Sequence, residues 1–326
     1  MLRFWLHNAR YYALPQSLLP AITAVFMAVK NPAFSWMYAI FALIGVTFLH
    51  LSMNLFDDYF DYKKKGVEIR NKMSAGGVRA RIDKCAYITE GNTTLKQLFF
   101  VSALLGMIAL IFGLIIFLKQ GYPILIIAIS SGILGISYSA NPLKFSYRGF
   151  GELIIAIIFG PLLMSGVFYA SSGEMNPAVW YISIPIGLLV ANIAYTHDIM
   201  DFDADIAVGK KTLAVIINNK KWILIISSCF ILIPYLFIII GVITSQLSHW
   251  LLLTLITLPQ AITLIYLLIE FYKHPEKKFY VRFWMQPMEK WGKIKEAGLD
   301  WFMIRWFLSR NLLVFFCIAI IVGVNL

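Results

Sequence analysis

LFFVSALLGMIALIFGLIIFL, residues 98–118, runs for 21 positions without an ionisable side chain. It lies within an apolar block at 96–118, and a helix of about 20 such residues crosses a hydrocarbon core of about 30 Å. Worked outward from this block, length and apolarity place further spans at 13–29, 36–54, 122–139, 152–170, 178–197, 222–243, 250–272 and 311–326, nine in all. The first holds Pro15 and Pro20, which membrane helices tolerate and which argue against a cleaved leader. Apolar residues make up 60% of the 326 and charged residues 14%, against about 45–50% and about 25% in soluble domains. That balance excludes a disordered chain, a collagen, a coiled coil and a soluble domain. The expected fold class is all-α, a polytopic membrane protein of nine transmembrane helices forming one domain over 1–326.

The net charge of +11 raises the question of nucleic acid. The positions answer it. With nine spans, 26 Lys and Arg fall in alternate connections on one side, and only Lys30 and Lys119 on the other. By the positive-inside rule the rich side is cytoplasmic, with the N-terminus inside and the C-terminus opposite. The expected partner of this charge is the lipid bilayer, in an inner (cytoplasmic) membrane, and not nucleic acid. The cytoplasmic loops are 55–95, 140–151, 198–221 and 273–310. The last mixes Lys and Arg with Phe279, Tyr280, Phe283, Trp284, Trp291, Trp301 and Trp306. That mixture suits either an amphipathic segment in the headgroup layer or a solvated loop with membrane-facing aromatics. Cys85, Cys229 and Cys317 are too far apart in sequence to suggest a disulfide framework or a thiolate metal site.

With so few carboxylates in the chain, their clustering carries information. The second span ends Asn54-Leu55-Phe56-Asp57-Asp58-Tyr59-Phe60-Asp61. Asn54, Asp57, Asp58 and Asp61 share a helical face about 100° wide. The sixth span ends in Asp198, Asp201, Asp203 and Asp205. If that helix continues, Asp198, Asp201 and Asp205 lie within about 60° of one another, with Asp203 elsewhere. Both clusters stand at cytoplasmic helix C-termini, where the macrodipole disfavours negative charge and like charges repel. Two facing carboxylate sets are what a magnesium–diphosphate complex needs, since Mg²⁺ takes oxygen ligands from one or two carboxylates and from substrate phosphates. Neutralisation by neighbouring lysines is the plain alternative. A third segment on the same side, Tyr138 to Glu152, contains Pro142, Lys144, Arg148, Gly149 and Gly151. Pro142 stops the helix, the glycines make a tight turn, and Lys144 and Arg148 are placed either to hold phosphate oxygens or to form an ordinary basic loop.

Taken together, these segments resemble the UbiA superfamily of intramembrane aromatic prenyltransferases, and most closely its 1,4-dihydroxy-2-naphthoate branch in menaquinone biosynthesis. Asn54 to Asp61 is similar to the branch's Asn-x-x-Asn-Asp-Tyr-x-Asp, and Tyr147-Arg148-Gly149-Phe150-Gly151-Glu152 to its Tyr-Arg-Gly-Leu-Gly-Glu. Asp201-x-x-x-Asp205-x-x-x-Gly209-Lys210-Lys211-Thr212-Leu213-Ala214-Val215 is similar to its second acidic motif, and Arg10 and Ser17 to Pro20 also fit. Asp57 stands where the branch has its second Asn, His197-Asp198 where it often has Asn-Asn, and Met200 where it often has Arg. Glu68, Arg79 and Arg81 match the following family loop only loosely.

The resemblance implies transfer of a polyprenyl group from polyprenyl diphosphate to an aromatic acceptor. For this branch the acceptor is 1,4-dihydroxy-2-naphthoate, which loses its carboxyl group. It implies Mg²⁺ held first by Asp58, Asp61, Asp201 and Asp205, with Asn54, Asp57 and Asp198 as further oxygen ligands. Lys144, Arg148, Lys210 and Asn54 would contact diphosphate, and Tyr138 and Tyr147 would steady the allylic cation. His197 would orient a ring hydroxyl or serve as an ordinary polar contact. Other expectations are a related enzyme acting on 4-hydroxybenzoate or another acceptor, and a transporter. A transporter would place ionisable groups at mid-span. Here spans two to eight keep theirs at one edge, His50 near the end of span two apart.

Overall fold

The computed structural model describes residues 1–63, 85–207, 209–275 and 277–326. Glu68, Gly76, Gly77, Arg79, Arg81 and the run Lys64-Lys65-Gly66 lie outside the described residues. The described chain is helical, with no strand among the described residues. The helices are α1 (Leu2–Asn8), α2 (Pro15–Ala28), α3 (Trp36–Lys63), α4 (Ala86–Thr89), α5 (Leu95–Gln120), α6 (Tyr122–Ser139), α7 (Gly151–Ile157), α8 (Leu163–Ser172), α9 (Ala178–Met200), α10 (Phe202–Ala207), α11 (Leu213–Ile217), α12 (Lys220–Ile243), α13 (Leu258–Lys273), α14 (Trp291–Glu296) and α15 (Asp300–Asn325). A π-helical turn, Ile158–Leu162, joins α7 to α8, and a 3₁₀ segment, His249–Thr257, leads into α13.

Eight of these helical stretches are long and apolar enough to cross a membrane. The first expected span is a ninth, shorter helix, α2, of 14 residues, or about 21 Å at 1.5 Å per residue. Pro15 opens it, and a turn through Asn31 to Phe34 ends the stretch that follows. Its small residues Ala21, Ala24 and Ala28 are buried against α8 and α15.

Burial sorts the bundle. In its most apolar window α9 is 67% buried, whereas α6 is 11% buried. The centre of the protein is therefore α9, and α5 and α6 offer Leu110, Leu118, Ile126 and Ile133 outward as lipid-facing surface. Two glycines bring α9 and the π-helical turn together. A Cβ on Gly160 would fall on the Ser183 carbonyl and 2.8 Å from the Gly187 Cα, and one on Gly187 would strike the Ala156 carbonyl. Small residues that let backbones touch are the usual means of packing helices in lipid, where burial from water supplies no drive. On the other flank α3 runs along α5, and the Ser52 hydroxyl donates to the Ser102 carbonyl at 2.7 Å. Thr94 begins α5 with a capping box closed by Gln97.

The last helix corrects the reading of 273–310 as a loop and of 311 as the start of span nine. Helix α15 begins at Asp300. Arg305 and Arg310 look like loop residues by charge alone, but their charges are met inside the fold. Arg305 is 1% exposed; it donates to the carbonyls of Leu267 and Trp301 and lies 5.0 Å over the Phe271 ring. Arg310 lies 4.7 Å over Phe307 and pairs with Glu289. The remaining connection folds onto the bundle. Asn311 donates to the carbonyls of Met285 and Pro287, and Gln260 to that of Trp284. Its regular structure is a short 3₁₀ turn, Phe283–Met285, and the six-residue α14. Tyr280 and Phe283 remain exposed at 85% and 84%.

Candidate active site

The C-terminal end of α3 delivers its carboxylates in two directions. Asp57 accepts a hydrogen bond from the Ser139 hydroxyl at the end of α6, and Asp61 accepts one from the Tyr147 hydroxyl at 2.9 Å. Tyr147 closes the 3₁₀ turn Phe145–Tyr147, which follows a left-handed residue, Lys144. Asp58 turns the other way. It is 2% exposed, pairs with the Arg10 guanidinium and accepts from the Tyr87 hydroxyl at 3.0 Å. Arg10 also lies 3.6 Å from Asp57, and the Asn54 amide donates to the Ala9 carbonyl at 2.9 Å. The N-terminal segment is thereby tied to α3. Burial opposes the charge on Arg10, but Asp58 and then Asp57 outweigh it and hold the guanidinium protonated well above its usual range. Burial, followed by the charge of Asp58, pushes the Tyr87 phenol upward.

The second acidic motif is built differently. Helix α9 stops at Met200, Asp201 caps it and α10 starts at Phe202, so the helix does not continue unbroken. The turn is nevertheless kept by the Asp205 amide donating to the Asp201 carbonyl at 2.9 Å. Asp198 and Asp205 still face one cation, with Lys210 Nζ 3.6 Å from the first and 4.0 Å from the second. Asp201 Oδ2 lies 3.5 Å from His197 Nδ1, while Asp203 is exposed and points elsewhere.

The segment after α6 joins the two motifs. Arg148 and Lys211 form a parallel backbone bridge, and the Leu213 amide donates to Glu152 Oε1 at 3.3 Å. Glu152 is 2% exposed, with its carboxyl beside that of Asp198. Gly149 has φ +76°, where a side chain is strained, and a Cβ there would strike Ile216. Gly151 brings the backbone against Tyr138, where a Cβ would sit 3.5 Å from the ring. Arg148 donates from Nη2 to the Pro142 carbonyl at 3.0 Å and is otherwise exposed, and Lys144 is half-buried.

Each of the sequence-derived site residues among the described residues therefore lies at the same end of the bundle. Asp57 and Asp58, adjacent on a helix, diverge by about 100°, and Asp58 meets Arg10 and Tyr87. Among the described residues no three acids, histidines or cysteines form a ready-made metal cluster. The sequence had marked Arg10 and Glu152 only as positions that fit a pattern. Arg10 carried a signal as the last cation before the first apolar stretch. Tyr87 and Ser139 carried none.

The fold and this site define an integral membrane protein with an acidic and basic centre at one end of a helical bundle. The chain belongs to the UbiA prenyltransferase family, which its residues 17–286 match. It is similar to 1,4-dihydroxy-2-naphthoate octaprenyltransferase of Bacillus subtilis (strain 168), 25% identical over 253 residues and 78% of each chain. It is also similar to 2-carboxy-1,4-naphthoquinone phytyltransferase of a Synechocystis species, 24% identical over 265 residues and 81% of each chain. Its fold is that of a UbiA homolog from Archaeoglobus fulgidus bound to GPP and Mg²⁺, with a TM-score of 0.63 at 15% identity over 98% of this chain and 99% of that one. The protein is thus an enzyme that transfers prenyl groups.

Proposed function

We propose that the reaction is transfer of a polyprenyl group from polyprenyl diphosphate to 1,4-dihydroxy-2-naphthoate, with the acceptor's carboxyl leaving as carbon dioxide. One observation carries the reading of the site. Carboxylates of α3 and of the α9 end meet Lys210, Tyr147 and the Arg148–Lys211 bridge at one end of the bundle. The acceptor rests on likeness to the naphthoate enzymes.

The donor set is carboxylate oxygen, which is the chemistry Mg²⁺ takes, with further ligands drawn from phosphate. Asp57 and Asp61 on one side, and Asp198, Asp201 and Asp205 on the other, are the residues that would hold it. Mg²⁺ bound there would draw charge from the leaving diphosphate. Lys210, Lys144 and Arg148 bind the same oxygens, and hydrogen bonds from Ser139 and Tyr147 aim Asp57 and Asp61. Tyr138 and Tyr147 offer ring faces to the allylic cation as the carbon–oxygen bond lengthens. Asp58 acts through Arg10 and not on the substrate. The prenyl tail lies among the apolar helices. The whole of 1–326 serves as one catalytic domain in the cytoplasmic membrane, with this end and the N-terminus inside and the C-terminus outside.

The test supplies purified protein with Mg²⁺, a graded series of polyprenyl diphosphates, and naphthoate and 4-hydroxybenzoate in competition. The expected result is prenylated naphthoate by mass, with carbon dioxide released in equal amount. Prenylated 4-hydroxybenzoate as the dominant product, with its carboxyl retained, overturns the acceptor assignment.

A further inference from the structure

Below the acidic end of α3 the helix carries one more polar group on the same stripe. His50, Asn54, Asp57 and Asp61 are spaced four, three and four residues apart, which places them within about 60° of the circumference. His50 lies about 6 Å along the axis from Asn54 and about 10 Å from Asp57, toward the membrane interior. Its ring meets the edge of Phe159, with centroids 5.8 Å apart. Phe159 belongs to the π-helical turn Ile158–Leu162, and π-helical turns are frequent at functional sites.

Both imidazole nitrogens of His50 are shut off from solvent, and neither has a hydrogen-bond partner among the described residues. A buried donor and acceptor left unmade cost their full desolvation, so native folds rarely keep them without a use. An apolar residue would pack here at lower cost. The neutral ring offers one donor and one acceptor in fixed, divergent directions. That suits a flat ring bearing a hydroxyl, and it stands just beyond the place where the carboxylates would hold diphosphate.

We propose that His50 binds the acceptor, its unprotonated nitrogen accepting a hydrogen bond from a ring hydroxyl, with Phe159 on the π-helical turn stacking beside that ring. The proposal rests on the prenyl-transfer reading above. It concerns binding and orientation of the acceptor, and leaves the ionisation of the diphosphate to the residues already named.

The experiment compares His50→Leu and His50→Gln with the unaltered enzyme. Steady-state kinetics use 1,4-dihydroxy-2-naphthoate and the best polyprenyl diphosphate of the series, and thermal unfolding is measured in detergent. The expected result for His50→Leu is an acceptor KM raised about tenfold or more, since a site built to bond a hydroxyl loses most when that bond goes unmade. The KM for the prenyl diphosphate stays within about twofold, and His50→Gln recovers most of the loss. Since the imidazole bonds nothing among the described residues, His50→Leu leaves Tm unchanged or raises it. An unchanged acceptor KM, an equal rise in both KM values, a Tm that falls, or no recovery with His50→Gln overturns the inference while prenyl transfer stands. If the unaltered enzyme prenylates neither acceptor, the prenyl-transfer reading fails and this inference falls with it.

Discussion

The two acidic helix ends solve one electrostatic problem in opposite ways. At the end of α9 the counter-charge is local. Lys210 lies five residues past Asp205 and meets it and Asp198 at 4.0 and 3.6 Å, with its side chain 24% exposed. At the end of α3 the counter-charge is imported. Arg10 comes from 48 residues away to pair with an Asp58 whose side chain is 3% exposed. A lysine standing 3.6 and 4.0 Å from two carboxylates is held more loosely and can turn to a ligand at small cost. Arg10, whose side chain is 21% exposed, donates directly to Asp58, and separating the two strands the Asp58 carboxylate away from water. The α9 end is therefore suited to exchanging partners during turnover, and the Arg10–Asp58 pair to holding position.

The largest effect that would break this comparison concerns the carboxylates assigned to the diphosphate. Asp61→Asn and Asp201→Asn each lose about 100-fold or more in kcat, and excess chelator abolishes turnover in the unaltered enzyme. Normal rates in either variant, or in chelator, would remove these carboxylates and the metal from the mechanism. Next, Asp58→Asn destabilises the fold by about 3 kcal/mol through the stranded Arg10, seen as a lower Tm. Lys210→Met leaves Tm nearly unchanged but raises the KM for prenyl diphosphate about tenfold. Equal falls in Tm for the two variants would erase the distinction between a holding end and an exchanging end. The smallest effect sharpens it. Tyr147→Phe removes one hydrogen bond to Asp61, worth about 1 kcal/mol, so kcat falls about fivefold while both KM values hold.

The membrane spans were legible in the sequence because an apolar run of sufficient length has one outcome in lipid, and the acidic motifs because carboxylates are rare in such a chain. Charge misled where the fold supplies its own partners. Arg305 and Arg310 read as loop and lie in α15, because Phe271, Glu289 and the Leu267 carbonyl await them from elsewhere in the chain. Periodicity could group Asp57 with Asp58 on a broad face, but not say that Arg10 would take one of them. That choice depends on where the N-terminal segment lies, and no local pattern encodes it. The break at Asp201 was equally hidden, since a cap differs from a continuing helix in backbone angles and not in composition.

The Arg10–Asp58 pair also bears on how the protein is made. Arg10 is synthesised before any part of α3, and its partner follows 48 residues later. Until α3 is inserted, the guanidinium has only water and lipid headgroups to meet, so the N-terminal segment waits at the membrane surface. Insertion of α3 then draws it in through Asp58, with Asn54 securing Ala9 beside it. Ala9 and Arg10 thus settle only once α3 is in place, and Asp58 sets the moment at which that end of the bundle closes.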